Sequence, residues 1–367
     1  MGRATFLGSL GGDPALTSAR AISENGIVVG TAATASGVMH AFLWTDTSGM
    51  LDLGAPNGRN STSVARGVSS NGMVVGEGTD GLTGLTHAFR WTTAVIKTQN
   101  GRATVVEMKD LGAPGVASTA AAVNASGWAV GRNNGQAYLW NPGTPGLKNG
   151  DAVLDRRGGP ESQAYAINDL EEIAGTLDTP TGPHAFFAAP QLGLKDLGTA
   201  SGTASQARAM NDAGQVVGWI TAAKSTMPFI WSEADGMTLL ETVQDAKIEA
   251  TAINSLGEVA GNIAGRAGST PFFWSREGRI IQEIPGLTAS IPVFGMDGAH
   301  RMVGSNRLVP FTPNVVPVAA PVAVSTWENA PVTFTLPAGS GVFDNTIYTY
   351  SFSSSSGPLS KTAITGT

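Results

Sequence analysis

Three histidines, His40, His87 and His184, each open a His-Ala-Phe run, and three aspartates, Asp52, Asp110 and Asp196, each open an Asp-Leu-Gly run. Imidazoles and carboxylates are the residue types of metal binding and of acid–base chemistry. Their recurrence argues otherwise. A catalytic pair breaks the symmetry of a repeat, and equivalent positions in separate repeats of a ring lie apart. A histidine that starts a strand and an aspartate that bonds turn amides is the simpler reading. Four arginines, Arg59, Arg132, Arg156 and Arg157, fall in connecting segments, where the copies differ most. A guanidinium grips a carboxylate or sulfate through two parallel hydrogen bonds. Trp128 and Trp219 stand outside the tryptophan position that the repeats share. An exposed indole stacks on the apolar C–H faces of sugars, and Trp219 is the better placed of the two. Arg59, Arg132, Arg156, Arg157 and Trp219 are therefore the ligand-binding candidates. No catalytic residue, metal ligand or cofactor is assigned.

Familiar catalytic signatures are missing. The 367 residues include no cysteine, which excludes disulfides, thiolate zinc sites and a cysteine nucleophile. No segment matches a calcium loop, a phosphate loop, a His-Glu-x-x-His zinc site or a serine nucleophile elbow. With 48 glycines, 20 prolines and 14% charged residues, the chain is rich in turns. Its formal net charge of −6 disfavours nucleic acid or an anionic membrane as the main partner. No run approaches the roughly 18 apolar residues of a membrane span. Met1 to Thr5 lacks the charged-then-apolar layout of a secretory leader, so the export route cannot be read from it.

The elements that must position these residues come from one unit, repeated. Ala19 to Trp44 contains a small alternating run, a polar turn, an apolar run ending in glycine and a run ending in Trp44. Period-2 alternation bounded by Gly, Asn and Ser is the pattern of strands and hairpins. Aligned on the terminal glycine, the copies fall at Gly30, Gly76, Gly131, Gly175, Gly218, Gly261 and Gly304. Apart from one longer interval between Gly76 and Gly131, the spacing stays in the forties, the range of a four-stranded propeller blade. Nine residues before each glycine stands Ala or Gly, as an innermost strand crowding a channel requires. Two residues after that come Ser23, Ser69, Asn124, Asn168, Asn211, Asn254 and Asp297, all able to shape an Asx-type turn. The third strand carries an aromatic in every copy, from Phe42 to Phe311, with Trp two residues on in five of them. Side chains at i and i+2 share a face, so these pairs fill the space between blades.

The seventh copy runs into proline-rich sequence without an Asp-Leu-Gly strand, while Thr5-Phe6-Leu7-Gly8 supplies one with no meander before it. An N-terminal strand completing the last blade closes a ring and removes exposed sheet edges. The expectation is an all-β, seven-bladed propeller of four-stranded antiparallel blades over residues 1–313. Between Gly76 and Gly131, residues 92–107 predict an extended hairpin with Asn100-Gly101 at its tip. A Pro-rich linker follows over 314–322. Residues 323–367 read as strands and look like the start of an Ig-like or cadherin-like module, cut inside a longer modular chain.

The runs His40-Ala41-Phe42, His87-Ala88-Phe89 and His184-Ala185-Phe186, with the Ile-Asn-x-x-Gly and Asp-Leu-Gly runs, resemble the HAF-type bacterial extracellular repeat family. The resemblance covers about Arg3 to Pro313. Departures are Gln136, Met227 and Thr270 at the histidine position, and Glu171 and His300 where the hairpin elsewhere has glycine. The resemblance implies a surface or secreted protein with no established activity, and carries over no catalytic residue. The function expected is a non-catalytic module binding glycan or protein on the loop face of a monomer, with neither nucleic acid nor membrane insertion involved. The alternative is a polysaccharide hydrolase or lyase with its site on the same variable face.

Overall fold

The computed structural model describes residues 4–56, 60–81, 83–98, 101–143, 152–154, 161–240, 246–265, 268–277, 281–283, 292–305 and 307–310. Small and apolar residues alternating around Asn-x-x-Gly turns fold each repeat into a four-stranded antiparallel meander. In blade 1, Ser18–Ile22, Val28–Ala33, Met39–Thr45 and Gly49–Gly54 lie side by side in chain order. Five further meanders occupy residues 62–110, 118–153, 162–198, 204–239 and 247–283, numbered here as blades 2 to 6. Blade 7, over 295–310, takes Thr5–Phe6 as its outer strand, with Thr5 opposite Leu308 and Phe6 opposite Arg307. The fold is a β-propeller. The long strands of blade 2, Thr86–Thr98 and Gly101–Asp110, form the extended hairpin that the sequence predicts; residues 99–100 at its tip lie outside the described residues.

Among the described residues, seven apolar clusters hold the blades together, each shared by two neighbours. Period-2 geometry explains how one strand serves two interfaces. Phe42 and Trp44 face blade 7, packing with Leu7, Val303 and Leu308, whereas Ala41 and Leu43 face blade 2. The cluster joining blade 7 to blade 1 closes the ring, and the Ala19 amide donates to the Ser305 carbonyl at 2.7 Å across the same junction.

Polar side chains repeat the closure at two levels. In the hairpins, the side-chain amides of Asn124, Asn168, Asn211 and Asn254 each donate to the backbone carbonyl of the equivalent residue one blade on. Their Oδ1 atoms accept from backbone amides of their own turns. Across the closure, Glu24 of blade 1 accepts from the amide of Gly298 in blade 7 and from that of Ser255 in blade 6. Further out, Ser63, Ser118, Ser162 and Ser205 accept the amides of Ala41, Ala88, Ala137 and Ala185 on the preceding blade. Ser63 and Ser205 pass a hydrogen bond to the glycine carbonyl of the preceding Asp-Leu-Gly run. Thr17 does the same to Gly8 across the closure. Blade 6 has Ile248 at this position. There Thr226 and Lys247 form one parallel bridge instead, which merges blades 5 and 6 into an eight-stranded sheet.

The chain divides into two units, Met1–Val315 and Val316–Thr367. The Pro-rich linker and the Ig-like segment expected at 314–367 lie outside the described residues. Among the described residues no helix is long and apolar enough to cross a membrane.

Candidate functional site

The repeated glycine is the starting point. Gly30, Gly76, Gly131, Gly175, Gly218 and Gly261 sit in the second strand of their blades, and a methyl group on any of them would overlap a backbone carbonyl of the inner strand. The two backbones approach this closely because the inner strand bulges opposite the glycine. Register shifts by one residue between Ala19 and Ala21, and equivalently at 65/67, 120/122, 164/166, 207/209 and 250/252. The extra residues are Arg20, Arg66, Ala121, Tyr165, Arg208 and Thr251. A bulge leaves its extra residue outside the ladder and re-aims its side chain. All six line the central channel, as does Phe294 at the corresponding place in blade 7.

That channel encloses about 660 Å³, within the range of about 300–1,000 Å³ typical of small-molecule sites. Its wall carries three arginines, Arg20, Arg66 and Arg208, against two glutamates, Glu77 and Glu249, in a chain whose net charge is negative. Arg66 is satisfied by Glu77, with Nε to Oε2 at 2.9 Å and Nη2 to Oε1 at 2.5 Å. Arg20 and Arg208 have no carboxylate partner among the described residues. Each instead sits over an aromatic ring supplied by the preceding blade, Arg20 over Phe294 at 5.3 Å and Arg208 over Tyr165 at 4.4 Å. Arg20 Nε is buried without an acceptor. Burial, followed by the neighbouring Arg66 charge, presses the Arg20 pKa below its ordinary value, and Glu77 opposes the shift. Glu249 has no ion-pair partner among the described residues.

The residues singled out in the sequence are distributed as follows. Trp219 lies on the strand Val216–Thr221, opposite Gln206 and Pro228, and half-exposed it lines the channel. The expected loop position is corrected: the strand continues past Gly218. Arg132 likewise belongs to the strand Ala129–Asn133 rather than a loop; it pairs with Glu161 at 2.9 Å and takes no place in the channel wall. Arg59, Arg156 and Arg157 lie outside the described residues. Trp128 is half-buried against the cluster between blades 3 and 4. The histidines and aspartates work as structural pairs within single blades: His40 Nδ1 meets Asp52 at 3.0 Å, His87 meets Asp110 at 2.8 Å and His184 meets Asp196 at 2.9 Å. The same aspartates accept the amides of Gly54, Gly112 and Gly198. Among the described residues no group of three His, Asp or Glu side chains could hold a metal.

Sequence reasoning missed Arg20, Tyr165, Arg208 and Glu249. Ten residues before each repeat glycine the chain reads Arg, Arg, Ala, Tyr, Arg, Thr, Phe, beside a position that is always Ala or Gly. Variation in an otherwise fixed register was the available signal. A smaller cleft of about 310 Å³, between Trp231 and Trp274, has its charges already paired, Arg276 with Asp235 at 3.2 Å.

No family model matches the chain, and no curated protein matches its sequence. Solved structures similar to it include TolB from Acinetobacter baumannii, at 11% identity and a TM-score of 0.41 over 71% of this chain. Another is dipeptidyl peptidase 4 from Porphyromonas gingivalis, at 7% identity and a TM-score of 0.33 over 76% of this chain. The matches span 64% and 43% of those chains respectively.

Proposed function

We propose that the chain is a non-catalytic binding propeller of the HAF type, at a bacterial surface or secreted, that takes a glycan or protein ligand at its central channel. One observation carries this reading. Scaffold polar groups recur from blade to blade and bond to one another, whereas the bulge residues differ between blades and all open on one channel. A symmetric frame with an asymmetric lining is where specificity is written. The enzymatic alternative needs a free acid and a free base. Of the two channel carboxylates, Glu77 is clamped by Arg66.

A binding screen of the full chain against arrayed glycans and bacterial surface polysaccharides tests the proposal, with Trp219→Ala as the control. Binding that the Trp219→Ala chain loses supports it. Ligand turnover, or binding indifferent to every channel substitution, contradicts it.

A further inference from the structure

We infer that the channel ligand is an acidic saccharide, with carboxylates met separately by the edges of Arg20 and Arg208 and a sugar ring set against Trp219. The inference rests on the binding reading above and specifies its ligand. The two arginines are the foundation. A guanidinium over an aromatic ring has one face covered, while its N–H edge stays available to a planar oxyanion. Arg20 sits over Phe294 and Arg208 over Tyr165, and neither has a carboxylate partner among the described residues. The third channel arginine shows what satisfaction looks like, with Nε and Nη2 of Arg66 both closing on Glu77. Arg20 Nε is a buried donor without an acceptor, a state that native proteins rarely leave unanswered.

The placement of the two arginines supports one shared ligand. Arg20 belongs to the junction of blades 7 and 1, Arg208 to the junction of blades 4 and 5, so they approach the cavity from different sides of the ring. Trp219 stands on the same blade as Arg208 and is half-exposed to the same space. Around them the lining includes the polar Thr119, Gln163, Thr251 and Asn262, the Arg66–Glu77 pair, whose charges cancel, and Glu249, the one carboxylate that an acidic ligand must keep clear of. This combination suits a body with apolar ring faces, many hydroxyls and more than one acidic group, which describes an oligosaccharide of uronic acids. An acidic peptide such as tetraglutamate would use the arginines but offers Trp219 no ring with apolar C–H faces.

The test is titration calorimetry on the full chain with tetragalacturonate, its methyl ester, maltotetraose and tetraglutamate. Tetragalacturonate is expected to bind, and more weakly as salt rises. Arg20→Ala and Arg208→Ala are each expected to lower its affinity at least about tenfold, the scale of a lost charge-assisted contact. Blade 3 carries Ala121 at the same bulge, so alanine is compatible with the fold there, and an unchanged melting temperature would verify it. Equal binding of the acid and its methyl ester would overturn the inference, as would arginine variants that bind like the parent or a preference for tetraglutamate. Maltotetraose bound through Trp219 would remove the acidic ligand and leave the glycan-binding reading standing. Silence toward all four probes would overturn the inference, and silence on the glycan array as well would remove the glycan and leave a protein as the ligand of the binding reading.

Discussion

At the scale of single residues, the most visible side chains are not the ones that matter most. The His–Asp pairs stand out in the sequence, yet His184 and Asp196 are partly exposed, and such pairs contribute about 0–1 kcal/mol. Ser205 is fully buried, accepts the Ala185 amide and donates to the Gly198 carbonyl of another blade. Ser205→Ala strands a buried amide, which costs about 1–3 kcal/mol. Urea unfolding should therefore show a clearly lower midpoint for Ser205→Ala than for His184→Ala. The reverse order would contradict this account of the serine staple. The structural role of His40, His87 and His184 was legible because recurrence argues against catalysis. The serines stand in equally regular register but were overlooked, since a hydroxyl between small residues in a strand reads as filler until the neighbouring blade is in place.

At the scale of elements, the hairpin and the bulge behave differently toward sequence reading. Hairpins announce themselves: Gly26, Gly72, Gly127, Gly214 and Gly257 all take positive φ at the same turn position. Blade 4 departs with Glu171, at φ 62°, and blade 7 with His300, at φ 58°, so both side chains are forced into the left-handed region. That conformation costs a non-glycine residue about 1–2 kcal/mol, offset by the larger entropy loss of glycine. Glu171→Gly is accordingly expected to stabilise the protein by about 0.5–1 kcal/mol, read as a higher urea midpoint with an unchanged slope. A destabilised variant would mean that the Glu171 side chain makes a contribution beyond its turn. Bulges are silent by comparison. Strict alternation through Ala19-Arg20-Ala21 predicts a regular strand, and the close approach of Gly30 to the inner strand is a tertiary fact. Arg20, Arg66 and Arg208 were therefore invisible as a set. Trp219 emerged only because it broke the shared tryptophan position, and the strand it lies on runs three residues past the glycine where the sequence reading ends it.

For the whole molecule, repetition made the architecture readable and hid the site. A near-constant period, a fixed glycine and an orphan strand at Thr5–Phe6 sufficed to specify a ring of antiparallel meanders. The clusters joining neighbouring blades, and the contacts of Leu7, Ala19 and Glu24 across the closure, are what that pattern produces. Function resides in what the pattern does not constrain. Six inner strands have one position that the ladder leaves unpaired, and there the chain places arginine, tyrosine, alanine or threonine while the frame stays the same. The central claim is that frame and site are separable. The measurement that tests it most directly compares the parent with the triple variant Arg20→Ala/Tyr165→Ala/Arg208→Ala, which gives three more bulges the residue blade 3 already has at Ala121. Melting temperature and ligand binding would be followed on the same samples. The account predicts a melting temperature within a few degrees of the parent and binding abolished. An intact ligand affinity, or a ring that no longer folds, would contradict it.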